Sequence, residues 1–384
     1  MDLTLFHDLA EATGPFASVT VDLTHTDPAT ADDLDARWRD LQSQLTGAGA
    51  PAATVDAMRD AAVAPTGKGG ERGRLVVADT DGVLAVHDLP RRPAQEVSWG
   101  PIPSLLPAVR ALAATVPHVV VRVDHTGADI VVSGGVGGDE ESLEVQGDHD
   151  ELHQVPTGGW AQRRYQARVE DSWEHNAATV AHRLDRIVTA HRPQVVILMG
   201  DERAMAFLEQ HAGEELRSRL VRTSTGGRAA GTSEGAEHQV TESVLAATRA
   251  ETEAGLVGRF EEQTGRAEAA AEGIDAVVEV LQRAQVEELL LVEGREHDST
   301  LWVGPGRLQL GVSRDDAVMT GAEDPVQVPA DAALVWAAVC SRAGVTLVDR
   351  GQVDPADGVG ALLRWSDEST PRSRVPSMPG HGGT

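Results

Sequence analysis

Residues 158–187 read GGWAQRRYQARVEDSWEHNAATVAHRLDRI. Between 158 and 168 this stretch sets together two glycines, a tryptophan, the only tyrosine of the chain and three arginines. No carboxylate occurs between Gln154 and Val169. The remainder is the opposite in character: the formal net charge is -27 and aromatic residues make up 3%. Paired glycines let a backbone pass close to a surface. Arginine offers bidentate donors to phosphate, and an exposed ring stacks on an unpaired base for roughly 1–3 kcal/mol. Gly158, Gly159, Trp160, Gln162, Arg163, Arg164, Tyr165 and Arg168 are therefore candidate contacts to nucleic acid, on a basic, aromatic, glycine-hinged loop. The same residues also fit a solvated turn whose Trp160 and Tyr165 fold back on the core, and local chemistry leaves both open.

From Val169 the apolar residues fall at Val169, Trp173, Ala177, Val180, Leu184 and Ile187, which is helical spacing. Pro193 ends that helix, and 195–199 reads as a buried strand. Ahead of the loop, 118–123 and 128–132 form a hairpin closed by Asp124-His125-Thr126-Gly127. The order is hairpin, glycine loop, long helix, strand, helix.

That order, with the quoted stretch inside it, resembles the middle domain of the archaeo-eukaryotic class-1 peptide release factors. In those proteins a Gly-Gly-Gln loop precedes a long helix rich in Arg, Glu, His and Asn. The whole chain is similar to the actinobacterial branch of the bacterial proteins related to these factors and to Pelota, a wider group that includes ribosome hibernation factors. The similarity is carried further by GPFASVTVDLTH at 14–25, DHTGADIVV at 124–132, the strand-and-helix pattern of 267–292 and DGVGALLRW at 357–365. It implies an α/β protein of three domains, the middle one release-factor domain-2-like (RNase H-like) and the last L7Ae-like. It also implies the ribosomal A site and its rRNA as partner, with the last domain facing a translational GTPase such as elongation factor Tu.

The departure from the family pattern is informative. Aligned on the paired glycines, the place of the release-factor glutamine is taken by Trp160. In the release factors that glutamine helps place water at the ester between peptide and tRNA. An indole has one N–H donor and no acceptor, so it cannot orient water as an amide does. Gln162 lies two residues on and would need a different loop path to serve, while hydrolysis demands close placement. The expected role is binding without cleavage and without a catalytic residue. The alternative is rescue of stalled ribosomes by peptidyl-tRNA cleavage through Gln162 or Gln166. A third reading is an interaction protein unrelated to ribosomes.

A chain of 384 residues fits two or three domains, and 41% apolar content supports ordinary cores. Lys68 is the only lysine. The acidity favours solubility and opposes non-specific binding to nucleic acid; affinity, however, follows the local field, and the arginines are unevenly spread. The opening Met1-Asp2-Leu3-Thr4-Leu5-Phe6-His7 lacks the form of a signal peptide, and no apolar run approaches a membrane span. Cytosol, no membrane and a monomer are the expectations. Cys340 is the only cysteine and lies in an apolar run, which makes it a buried structural thiol.

Three blocks emerge. Residues 1–116 alternate a helix (3–12), a strand (17–23), two helices (31–45 and 52–62) and a hairpin pairing 74–79 with 83–88. Residues 67–73, GKGGERG, lack phosphate-loop spacing and lead into a strand. The Asn-Ile-Lys-Ser motif with which release factors read stop codons is absent from the chain. Residues 117–222 carry the glycine loop, preceded at 137–151 by scattered acids that read as a solvated hairpin tip and not as a cation site. His149 and His153 read the same way. A polar linker at 223–239 leads to a third block at 240–366. There a long helical region, 241–260 continuing into 267–283, precedes strands at 288–292, 345–348 and 361–365 and a helix at 331–342. The tail, 367–384, is too rich in Pro, Ser and Gly to pack. No metal, cofactor or hydrolase motif is expected. His175-Asn176 matches a His-Asn pair in the family helix, with His175 tuning packing, and His297-Asp298 reads as a turn.

Overall fold

The computed structural model describes residues 1, 3–24, 31–65, 71–133, 140–146, 159–228, 234–266, 268–294 and 299–371. The side chains of 31–33, 140, 146, 159–172 and 234 lie outside that description. The protein is mixed α/β and divides into two compact units: Met1–Ala114 with Glu253–Thr384, and Thr115–Thr252.

In the first unit β1 (Phe16–Asp22) is followed by α1 (Ala31–Gly47), α2 (Ala52–Val63), β2 (Gly73–Ala78), β3 (Val83–Leu89), β4 (Glu96–Gly100) and α3 (Leu106–Ala113). The strands form an antiparallel sheet in the order β3-β2-β1-β4, with Val19 opposite Val76 and Val97. Side chains alternate across a strand, so Ala17, Val19 and Val21 meet Trp38, Leu41, Leu45 and Met58 of α1 and α2 on one face. On the other face the polar Ser18 and Thr20 are buried and satisfied: Ser18 Oγ accepts from Ser104 N (2.9 Å) and Thr20 Oγ1 donates to Ala94 O (2.7 Å). The helix expected over 3–12 is a 3-10 helix, Thr4–Glu11. His87, half-buried edge-on to Phe6, is pushed down from the ordinary imidazole range by burial, with Asp8 and Asp88 opposing.

The middle unit begins with β5 (His118–Val123), β6 (Gly127–Ser133) and β7 (Glu140–Gln146). Then come α4 (Gly159–His191), β8 (Val195–Gly200), α5 (Glu202–His211), α6 (Glu214–Arg219) and β9 (Leu220–Arg222). Its sheet runs β7-β6-β5-β8-β9, antiparallel on the β5–β7 side and parallel where β5 meets β8 and β8 meets β9. Val119, Val121, Ile130, Val196 and Leu198 bury against Ala177, Val180, Leu184 and Ile187 of α4 and Met205 and Leu208 of α5. The alternate residues Val120, Val195, Ile197 and Met199 form a second cluster. At the end of β8, Gly200 has φ 130°, and a Cβ there would lie 1.9 Å from Val123 O.

The turn that closes β5 to β6 is built around one carboxylate. Asp124 Oδ1 accepts from Thr126 N (2.7 Å), Thr126 Oγ1 (2.6 Å) and Gly127 N (3.0 Å). Arg228 then reaches Asp124 (3.0 Å), Asp129 (3.1 Å) and Glu144 (3.2 Å), so one guanidinium joins the turn, β6 and β7. Partial burial works to raise the Asp124 pKa, but the Thr126 hydrogen bonds and Arg228 prevail and hold it below the usual carboxylate range.

Helix α7 (Glu234–Arg266) begins inside the stretch read as a linker and seven residues before the expected helix. Val244 and Leu245 pack on the second cluster of the middle unit, and Val257 and Phe260 enter a cluster of the other. The expected continuation into 267–283 is interrupted: β10 (Ala270–Glu272) comes before α8 (Ile274–Gln282). There follow β11 (Val286–Val292), β12 (Thr300–Val303), β13 (Leu310–Gly311), α9 (Arg314–Met319), β14 (Val326–Pro329), α10 (Ala330–Ser341), β15 (Gly344–Val348) and β16 (Val359–Leu363). A sheet in the order β10-β16-β11-β15 puts Leu290 and Val292 toward Phe260 and Leu289 and Leu291 toward α8 and α10. Strands β13, β12 and β14 form a smaller sheet. The first and last blocks share one apolar cluster, in which Phe6, Leu9, Phe16 and Leu75 lie with Val277, Leu281, Leu289 and Trp336.

Burial pushes the Cys340 thiol up to about 12, in keeping with its place in the run 333–341 of α10, which is buried throughout. At the start of the expected disordered tail, residues 367–371 are ordered: Thr370 is buried and its hydroxyl accepts from Gln285 Nε2 (3.1 Å). Residues 372–384 lie outside the described residues, as do the GKGG of 67–70, His149, His153, His297, Asp298 and the acids Asp139, Asp148, Asp150 and Glu151.

Close packing at two glycines yields a direct test. A Cβ at Gly360 would stand 2.7 Å from the Phe260 ring. Gly200→Ala and Gly360→Ala should each cost about 2–4 kcal/mol, read as a lower urea midpoint. Arg228→Met should destabilise the middle unit at pH 7 by about 1–3 kcal/mol. Because the folded Asp124 value is depressed, its contribution is present above the ordinary carboxylate range and lost as pH falls through the folded value. Unfolding followed against pH should therefore show a shallower acid limb in the variant than in the parent.

Candidate nucleic-acid interface

The basic, aromatic stretch begins a helix and is not a loop. Helix α4 starts at Gly159, ten residues before the apolar spacing becomes readable at Val169. Ala161, Gln162, Arg163, Arg164, Gln166, Ala167 and Arg168 are all strong helix formers, and a glycine at the first position costs little. Trp160, Gln162, Arg163, Arg164, Tyr165 and Arg168 thus occupy the first three turns, with positions 160, 164 and 168 at the four-residue spacing of one helix face. Gly158 lies outside the described residues. From Gly159 to Trp173 the helix rises about 21 Å.

In sequence, the start of α4 is basic. No acidic residue stands in the first turn of α4, and Glu170 is the first carboxylate after Gly159. The partial positive charge of a helix N-terminus adds to Arg163, Arg164 and Arg168.

Where the side chains of α4 are described, the helix is fastened to the β5–β6 turn. Trp173 lies against His125, ring centroids 5.3 Å apart at 37°. One turn on, the buried Asn176 donates from Nδ2 to His125 O at 3.1 Å. Its Oδ1 is buried without a partner, which costs about 1–3 kcal/mol. His175, beside it, is exposed, on the flank of the stripe. Further along, Glu174 meets His211 Nε2 at 3.3 Å, and Asp185 Oδ1 accepts from Gly213 N at 3.1 Å, tying α4 to α5 and to the start of α6.

Neither this fastening nor the role of Arg228 was anticipated from the sequence. A signal for the turn is present: an aspartate followed two and three residues later by threonine and glycine is the signature of a side-chain-capped turn. Asn176 carries another, since it stands three residues after Trp173 and four before Val180, a polar residue within the apolar stripe. Among the described residues no group of three or more His, Cys, Asp or Glu is placed to hold a metal ion. Asp124, Asp129 and Glu144 face Arg228 instead. Among the same residues no helix is long and apolar enough to cross a membrane.

Residues 117–266 match the model of bacterial archaeo-eukaryotic release factor family 2. Two proteins of Mycobacterium tuberculosis, Rv2629 and MT2704, are each 29% identical over 364 residues, covering 93% of this chain and 95% of theirs. Among solved structures, an archaeal Pelota in a ribosome-bound model with ABCE1 aligns over 94% of this chain and 93% of its own, at 14% identity and a TM-score of 0.36. Saccharomyces cerevisiae Dom34, described as a translation termination-like factor that interacts with Hbs1, aligns over 66% of this chain and 64% of its own, at 12% identity and a TM-score of 0.35. The similarity to bacterial archaeo-eukaryotic release factor family 2 thus rests on residues 117–266, the segment that carries α4 and the sheet it packs on.

Proposed function

We propose that this chain is a ribosome-binding translation factor that occupies the A site during dormancy or stress. In this reading the start of α4 lies near the peptidyl-transferase centre and peptidyl-tRNA is not cleaved. Gly158 and Gly159 admit the backbone to a narrow RNA site, Arg163, Arg164 and Arg168 meet rRNA phosphates, and Trp160 and Tyr165 stack on unpaired bases. Gln162 contributes a hydrogen bond. The observation that carries the reading is the family match over 117–266 on a segment whose paired glycines are followed by Trp160 where the release factors place glutamine. Indole supplies surface and one donor, which serves binding and not the orientation of attacking water. The last block would meet a translational GTPase such as elongation factor Tu, and the protein would work as a cytoplasmic monomer.

Co-sedimentation with vacant 70S ribosomes tests the reading. The parent chain should bind with a steep loss as salt rises. Arg163→Glu/Arg164→Glu should weaken association at least about tenfold and reduce the salt slope by about two, one for each phosphate no longer neutralised. Trp160→Ala should weaken binding by about 1–3 kcal/mol with little change of slope. No association by the parent, with or without elongation factor Tu, would overturn the proposal. In a peptide-release assay the parent should be inactive and Gln162→Ala indistinguishable from it. Release that Gln162→Ala or Gln166→Ala abolishes would replace blocking with cleavage.

A further inference from the structure

Helix α4 has two parts with different duties, and the boundary between them is a small cluster of side chains. From Ala177 onward the stripe Ala177, Val180, Leu184 and Ile187 buries the helix against the middle sheet. Before Trp173 the helix runs on for about 21 Å to Gly159. At the boundary, Trp173 lies against the His125 ring and Asn176 donates to His125 O. The turn that receives both is itself fixed, by three hydrogen bonds to Asp124 Oδ1 and by Arg228, which donates to Asp124 and to Thr126 Oγ1. Asn176 is poorly explained by burial alone. It is 3% exposed and leaves Oδ1 without a partner, so an apolar side chain of similar shape would suit the site better as packing. What the amide adds is a directional link to a rigid turn at the point where the buried stripe ends.

We propose that His125, Trp173 and Asn176 are positioning residues that fix the direction in which α4 carries Trp160, Arg163, Arg164 and Arg168 toward RNA. The partner in this statement rests on the ribosome reading, whereas the clamp itself does not. A rod held at one end amplifies small errors: a tilt of about 10° at Trp173 moves Gly159 by roughly 4 Å over that length. Such a displacement is larger than a hydrogen bond tolerates.

The test measures the clamp and the partner separately, on the full chain. Nitroxide labels at Gln166→Cys and Glu202→Cys report the direction of the helix by electron–electron distance measurement; Cys340, buried and protonated at neutral pH, stays unlabelled. The parent should give a narrow distance distribution. Asn176→Leu should at least double its width without lowering the thermal midpoint, and Trp173→Ala should do the same, whereas Trp173→Phe keeps the ring contact and the narrow distribution. Ribosome co-sedimentation should fall at least tenfold in the two broadened variants and be retained in Trp173→Phe. Unchanged widths in both variants would overturn the clamp, as would broadening that appears only with a lost thermal transition. Broadened distributions beside undiminished ribosome association would support the clamp and overturn its link to the RNA-bound state. A parent that fails to bind ribosomes would overturn the ribosome reading while the widths still decide the clamp.

Discussion

Burial of Ala177, Val180, Leu184 and Ile187 against β5, β6 and β8 is the interaction on which the candidate interface depends. Each of these residues is almost wholly withdrawn from water, at roughly 25 cal/mol per Å² of apolar surface. The first turns of α4 carry no comparable stripe: between Gly159 and Arg168 the sequence offers alanine, glutamine, arginine and two isolated aromatics. Isolated helices of that length are marginal in water. The basic half is therefore helical as an extension of the buried half.

Much of the fold is legible in the sequence because its signals are local. Strands 118–123 and 128–132, their four-residue turn and the helix over 177–187 lie where period and turn chemistry put them. The hairpin of β2 and β3 is equally plain, with Arg74 opposite Asp88. What escapes is of two kinds. Elements without an apolar period leave no mark, which is why the spacing starts α4 only at Val169 and the polar composition up to 239 hides the first turns of α7. Short strands such as β10 and β13 bury too few residues to be told from their surroundings, and β10 reads as part of a longer helix.

The candidate site is legible as a set of residues but not as a shape. Chemistry singles out Trp160, Arg163, Arg164 and Arg168; helix propensity, present in the same letters, is masked by the glycines. The residues that hold the helix are harder to see, since Arg228 is about a hundred positions from Asp124 and their pairing is a product of the fold. Asn176, a polar residue within an apolar stripe, is the one member of the clamp whose pattern in the sequence sets it apart from its neighbours.

The cluster shared by the first and last blocks has a consequence for how the chain comes off the ribosome that makes it. Phe6, Leu9, Phe16 and Leu75 emerge early, yet their partners Val277, Leu281, Leu289 and Trp336 are among the later residues synthesised. The middle unit, Thr115–Thr252, is contiguous and can close as soon as it is out. At the usual pace of elongation the early apolar face waits roughly 10–50 seconds for its counterpart. The nascent chain can thus close its middle unit, and the face of the first sheet that meets α1 and α2, while the opposite face of that sheet stays open to chaperones or to misassembly until the last block arrives.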